Sequence, residues 1–184
     1  MHHDVVLSGW GCRLRPVTVA DAGFIVRVRS QDRAKGNIHV TNVSIADQEA
    51  WIRNYLERDN EYYWIIEDMY GSPFGTAGLY NYNADVLEAE GGRWVMFPKF
   101  PFSVAAPDLL LKKWVFEGLK LKRLIFHVVA TNRKVLHFHE LMGARKTFLQ
   151  EKAVQIDNQQ VDVQWFEITR EMWPLIFERW NAIL

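Results

Sequence analysis

Residues 122–144, KRLIFHVVATNRKVLHFHELMGA, limit the folds open to this chain more than any other stretch. The near-continuous apolar run reads as a buried strand, which needs an interior place in a sheet. Asn132 then leads into a short helix, and Gly143 stands where a helix stops. That helix carries His137 and His139. Each helical residue turns roughly 100°, so the two imidazoles point about 200° apart and cannot share one metal ion. With a lone cysteine, Cys12, and no histidine–cysteine cluster, no metal site is expected.

The remaining segments alternate in the same way. GCRLRPV reads as a strand, and TVADAGFIVRVRS as a helix opened by Thr18 with Asp21 three residues on. QDRAKGNIHVTNV has no period and is a loop. SIADQEAWIRNYLERD is a helix from Ser44, with Ile45, Trp51, Ile52 and Tyr55 near one face. YYWIIEDMY and FGTAGLYNYN form an antiparallel pair around a short turn. AEGGRWVMF is a further strand, and its double glycine predicts a bulge or a close backbone approach. SVAAPDLLLKKWVFEGLKL is a helix only if Pro107 lies in its first turn. RKTFLQEKAVQI and VDVQWFEITR pair around DNQQ, and Cys12 falls in an alternating strand as core. The expectation is one domain over residues 1–184, α+β, with a twisted, mostly antiparallel sheet of about seven strands flanked by helices. An aromatic-rich tail, 171–184, is partly helical, interrupted at Pro174, and packs on its own domain or pairs two subunits.

Charge narrows function by exclusion. Lys+Arg and Asp+Glu both number 22, so nothing draws the chain to nucleic acid or to anionic lipid. No apolar run approaches the roughly 20 residues that span a bilayer, and the start is not a signal peptide. A cytoplasmic protein without membrane or nucleic-acid partners is expected.

Three stretches together, AEGGRWVMFP, LKLKRLIFHVVATN and NRKVLHFHELMGA, in this order of elements, resemble the GNAT superfamily of acetyl-CoA-dependent N-acetyltransferases. The resemblance covers roughly residues 12–170. It implies acetyl-CoA as acyl donor, no metal, and a primary amine as acceptor. It also implies that a loop before the third helix cradles the coenzyme A pyrophosphate. That loop, PKFPFSVAAPDLL, departs from the family, since Pro101 and Ser103 stand at glycine positions and Pro101 has no N–H. The amides of Phe102, Ser103, Val104 and Ala105, the Ser103 hydroxyl and the Lys99 charge are the expected substitutes. Without them, the chain would be a GNAT-shaped binding module.

Acyl transfer to an amine needs a base, an oxyanion donor and a proton for the departing thiolate. By resemblance the base is Glu90, directly or through water, with Glu88 and Asp85 as neighbouring substitutes. The oxyanion donor is a backbone N–H near Val95 to Phe97, with Met96 and Phe97 along the cofactor. The acid is His139, where the family often has tyrosine; an unperturbed imidazole, with a pKa of about 6.5, can donate a proton near neutral pH. Asn132 either contacts the pantetheine arm or shapes the strand–helix junction. Family acceptor pockets lie between the first two helices, their loop and the last hairpin. Here that loop region holds Arg29, Arg33, Lys35 and His39, suited to the diphosphate of a nucleotide-linked sugar. The pattern is similar to the amino-sugar branch serving bacterial surface polysaccharides, and more distantly to the branch that acetylates ribosomal-protein N-termini. A closed pocket with aromatic floor and basic rim would favour the sugar, and an open groove the peptide.

Overall fold

The computed structural model describes residues 3–31, 44–100, 102–156 and 158–184. Eight strands form one sheet: β1 (Leu7–Gly9), β2 (Cys12–Pro16), β3 (Tyr62–Asp68), β4 (Pro73–Asn83), β5 (Glu88–Met96), β6 (Arg123–Val129), β7 (Arg145–Ile156) and β8 (Gln159–Thr169). Their spatial order is β1-β2-β3-β4-β5-β6-β8-β7. Every neighbouring pair is antiparallel except β5–β6. The eighth strand beyond the expected seven is β1, three residues around a glycine, too short to carry a periodic signal. Among the described residues the helices are α1 (Ala22–Arg29), α2 (Ile45–Leu56), α3 (Ala105–Lys113), α4 (Arg133–Leu141) and α5 (Trp173–Asn181). None of them is long and apolar enough to cross a membrane.

Local chemistry explains most of the boundaries. Thr18 with Asp21 and Ser44 with Asp47 form capping boxes, the first opening a short 3-10 turn that runs into α1. Asn132 caps α4, accepting from the Val135 N–H at 3.4 Å. Gly143, at φ 89°, takes the left-handed turn that ends it. Pro107 is third in α3, where its missing N–H costs nothing. Pro174 likewise lies in the first turn of α5, so it starts that helix rather than interrupting it, as the sequence had led us to expect. Past Lys113, α3 widens into a π turn, closed by the Leu119 N–H on the Trp114 carbonyl at 2.9 Å.

Strand alternation divides the core in two. On one face Trp64, Ile66, Leu124, Phe126 and Phe166 pack with α3, Leu136 of α4, and Trp173, Ile176 and Trp180 of α5. On the other, Tyr63, Ile65 and Val95 pack with α1 and α2. Cys12 is buried in the first of these, its thiol pushed up to about 12 by desolvation, as a core residue should be.

Two irregularities of β5 shape the centre of the sheet. Its parallel register with β6 covers only Glu88↔Arg123, Ala89↔Leu124 and Glu90↔Ile125, after which the two strands part. Against β4, Thr76 faces Val95 and Gly78 faces Gly92, so β5 holds one extra residue there. The inserted residue switches the alternation, and Arg93 takes φ 52°. Glu90, Arg93 and Val95 thereby share the α1–α2 face. The glycines make room: a Cβ on Gly92 would meet the Tyr80 hydroxyl at 2.2 Å, and one on Gly78 the Arg93 side chain at 3.0 Å.

Candidate active site

The site is built where β5 and β6 diverge. Glu90 is the last β5 residue paired with β6, and its carboxylate is nearly sealed. Oε1 accepts from the Tyr80 hydroxyl at 3.2 Å and lies 3.3 Å from His127 Nδ1; Oε2 accepts from Asn81 Nδ2 at 3.0 Å. Burial pushes this carboxyl up, but the closeness of His127 and the bonds from Asn81 and Tyr80 outweigh it and hold the group below its ordinary range. It is ionised at neutral pH. Of its neighbours in sequence, Glu88 is paired with Arg123, and Asp85 sits in an exposed turn.

Of the three amides from Val95 to Phe97, that of Phe97 is committed to the Phe74 carbonyl at 2.6 Å. Antiparallel alternation then turns Val95 toward β4 as well, and Met96 toward the opened β6 side. Of the expected oxyanion stretch, Phe97 is therefore the residue whose amide is spent on β4.

His139 lies on the opposite face of the sheet, against Phe126 at 4.4 Å and Phe166 at 5.7 Å between ring centres. His137, two residues before it, is exposed, as their helical separation requires. Desolvation, with a smaller push from the Lys112 charge, drives the His139 pKa from 6.5 to about 3. The ring is therefore neutral at pH 7. It can offer a departing thiolate an N–H hydrogen bond but holds no spare proton, which amends the acid role expected from sequence. Its Nδ1 is buried without a hydrogen-bond partner among the described residues. The Lys112 charge is countered at 2.5 Å by Asp108, both side chains lying inside α3's packed face.

The loop before α3 also differs from expectation. Ser103 is 1% exposed, its amide donates to the Phe100 carbonyl at 3.0 Å, and its hydroxyl accepts from the Lys99 N–H at 3.2 Å. It is turned inward and does not serve an anion. The left-handed conformation that glycine would supply falls on Phe102, at φ 63°. Phe102, Val104 and Ala105 are the amides that fit a diphosphate at the α3 N-terminus; Pro101 lies outside the described residues. Lys99 is paired with Asp68 at 3.0 Å, so its charge is already balanced. Asn132 spends its side-chain oxygen on the α4 cap, which is the junction role. The loop therefore presents fewer amides at the α3 start than a glycine-rich cradle would give.

On the α1–α2 face, a cavity of about 250 Å³ is lined by Ile25, Arg29, Asp47, Gln48, Trp51, Tyr63 and Arg93. Arg93 stands among four rings, 5.2 Å from Trp51, 5.7 Å from Tyr55, 5.4 Å from Tyr63 and 4.9 Å from Tyr80. Its Nη2 pairs with Glu61 at 2.7 Å, while Nη1 is buried without a hydrogen bond among the described residues. Asp47 is occupied by the Ser44 hydroxyl and amide of the α2 cap. Of the expected acceptor residues, Arg29 lines this cavity, whereas Arg33 and His39 lie outside the described residues. Sequence reasoning missed Arg93, Trp51, Tyr63, Tyr80, Asn81 and His127. A signal existed for two of them: the arginine after a double glycine, and the one polar residue inside an apolar strand.

A model of the acetyltransferase (GNAT) domain matches residues 12–145. Among solved structures, FdhC, described as a nucleotide-linked sugar GNAT, superposes with a TM-score of 0.80 at 27% identity, over 97% of this chain and 98% of that one. A GCN5-related N-acetyltransferase from Brucella melitensis gives 0.84 at 17% identity, over 98% and 85%. A variant of the spermidine N-acetyltransferase SpeG from Vibrio cholerae gives 0.78 at 19%, over 89% and 96%. Comparison with curated proteins yields no match.

Proposed function

The chain belongs to the acetyltransferase (GNAT) family, and from that premise we propose that it acetylates a primary amine on a nucleotide-linked sugar, with acetyl-CoA as donor. The observation that carries the acceptor is the charge of the cavity. Two arginines, Arg29 and Arg93, line it beside Asp47, which is tied to its helix cap; Arg93 gives Nη2 to Glu61 and keeps Nη1 without a hydrogen bond among the described residues. The buried Nη1 edge of Arg93 offers N–H donors that suit the oxygens of an anionic diphosphate. Trp51, half-buried at the wall, gives that side of the cavity an aromatic surface for a base or sugar. The 27% identity with FdhC over nearly both chains supports the same acceptor class.

In this reading acetyl-CoA supplies an acyl carbon already activated by a sulfur leaving group. Glu90 drives removal of the amine proton, and a backbone N–H at the end of β5, near Val95 to Phe97, stabilises charge on the acyl oxygen. Met96 and Phe97 flank the donor, the amides of Phe102, Val104 and Ala105 hold its diphosphate, Asn132 meets its arm, and His139 hydrogen-bonds the sulfur as it leaves.

Thiol release from acetyl-CoA should be measured with nucleotide-linked amino sugars, the same sugars without nucleotide, spermidine and short peptides. The nucleotide-linked sugars should turn over fastest, and removal of the nucleotide should cost at least about 10–100-fold in kcat/KM, the worth of one or two charge-assisted contacts. Faster turnover of spermidine or of peptides would overturn the acceptor assignment.

A further inference from the structure

Resting on the acetyltransferase reading, the geometry points to His127 Nε2 as the atom that takes the amine proton, with Glu90 as the positioning residue behind it. The first ground is place. β5 and β6 separate after Glu90↔Ile125, and His127 follows Ile125 by two residues. It therefore lies in the opened part of β6, on the same face as Ile125 and across from Glu90. This is the point where an amine from the α1–α2 side would approach an acyl group held between the strands.

The second ground is occupancy. Glu90 is a poor candidate for direct contact, because its side chain is 11% exposed. Both of its oxygens are engaged, by Tyr80 and by Asn81. An ionised carboxylate held by hydrogen bonds in this way takes up protons reluctantly but steadies a neighbouring cation well.

The third ground is the imidazole itself. His127 Nδ1 is closed to solvent, 3.3 Å from Glu90 Oε1 but out of line for a hydrogen bond, and has no other partner among the described residues. Yet 30% of the side chain is exposed, so the open edge is the one away from Nδ1. On its other side the Trp165 ring, 4.8 Å between centres, limits the rotation of the imidazole. A carboxylate facing Nδ1 selects the tautomer with hydrogen there and leaves the Nε2 lone pair outward. Glu90 and Tyr80 are the titratable groups facing His127 from β5 and β4. Along the same face of β8, Glu167 is held by Arg123 and Arg145, and none of these displaces Glu90 as the nearest charge.

The step balances without a further reagent. The substrate ammonium gives one proton to Nε2, forming an imidazolium whose charge Glu90 offsets. The amine nitrogen bonds to the acyl carbon, the carbon–sulfur bond breaks, and the sulfur leaves with that pair. The second nitrogen-bound proton passes to the sulfur, and the imidazolium returns its proton to solvent.

The test compares wild type, His127→Ala, His127→Gln and Glu90→Gln with acetyl-CoA and the nucleotide-linked amino sugar that the wild type turns over best. The expected loss of kcat is about 100-fold or more for both His127 variants, with KM for acetyl-CoA within about twofold of wild type. Imidazole added to the medium should restore part of the His127→Ala rate, and the acid limb of the kcat/KM profile should vanish in His127→Gln. Nitrogen NMR of the histidines should show the Nδ1–H form of His127 in wild type and its loss in Glu90→Gln. His127 variants that keep the wild-type rate while Glu90→Gln is inactive would make Glu90 itself the proton acceptor and sink this inference alone. A wild type inactive on every amine tested would sink the acetyltransferase reading and the inference with it.

Discussion

At the scale of single residues, the site is governed by side chains held away from their usual ionisation. His139 is the clearest case, because its folded pKa near 3 lies below the ordinary 6.5. Between those values the unfolded chain binds a proton that the folded protein refuses, so stability falls as pH drops from 6.5 toward 3 and is intact above that window. Replacing His139 with Phe removes the titration and keeps a ring of similar size beside Phe126 and Phe166. The melting midpoint of His139→Phe should therefore decline less between pH 6.5 and pH 4 than that of wild type. Parallel declines in calorimetry would show that His139 is not protected from protonation. Glu90 is the opposite case: its lowered pKa keeps it charged at neutral pH.

At the scale of elements, α3 carries a burden that its sequence does not announce. Asp108 and Lys112 stand one helical turn apart on its buried face and pair at 2.5 Å. Desolvation raises the Asp108 pKa even with Lys112 beside it. Removing one partner strands the other, which typically costs about 3–5 kcal/mol, while removing both costs far less. Lys112→Met should lower unfolding free energy by roughly that amount in urea titrations, and Asp108→Leu combined with Lys112→Met should recover most of it. A single variant within about 1 kcal/mol of wild type would mean that the pair contributes little. The β5 strand shows the converse, a local fault with a functional return. Its extra residue and two glycines weaken a central strand, yet they turn Arg93 beneath four aromatic rings and leave space for Tyr80 to reach Glu90.

At the scale of the whole molecule, the terminal helix closes the face on which α3 and α4 pack. Trp173 is buried, stacks on Phe116 at 5.5 Å and donates from Nε1 to Glu117 at 3.1 Å. Ile176 fills the space above Gly143, where an added Cβ would meet it at 2.6 Å. Trp173→Ala should cost about 3–5 kcal/mol, through lost burial and the cavity left behind. Its denaturation midpoint is the measure, and an unchanged midpoint would show that the tail is dispensable to the fold.

What the residues determined by themselves is whatever depends on near neighbours along the chain. Thr18 and Ser44 mark helix starts through capping boxes with residues three positions on, Gly143 marks a helix end by its left-handed backbone, and seven of the strands follow from apolar runs and turns. The same locality made the β5 double glycine legible as a bulge. Glu90 and Asn132 entered through resemblance to a family motif; Glu90 is the last β5 residue paired with β6, and Asn132 caps α4. The parity switch that aims Arg93, the sealed environment that neutralises His139, and the inward turn of Ser103 were decided only when the chain closed on itself. So was the approach of His127 to Glu90, which depends on a parallel register between strands separated by all of α3. Periodicity tells which face a side chain takes on its own strand or helix. It does not tell which side chain waits on the next one, and ionisation, like catalysis, depends on that neighbour.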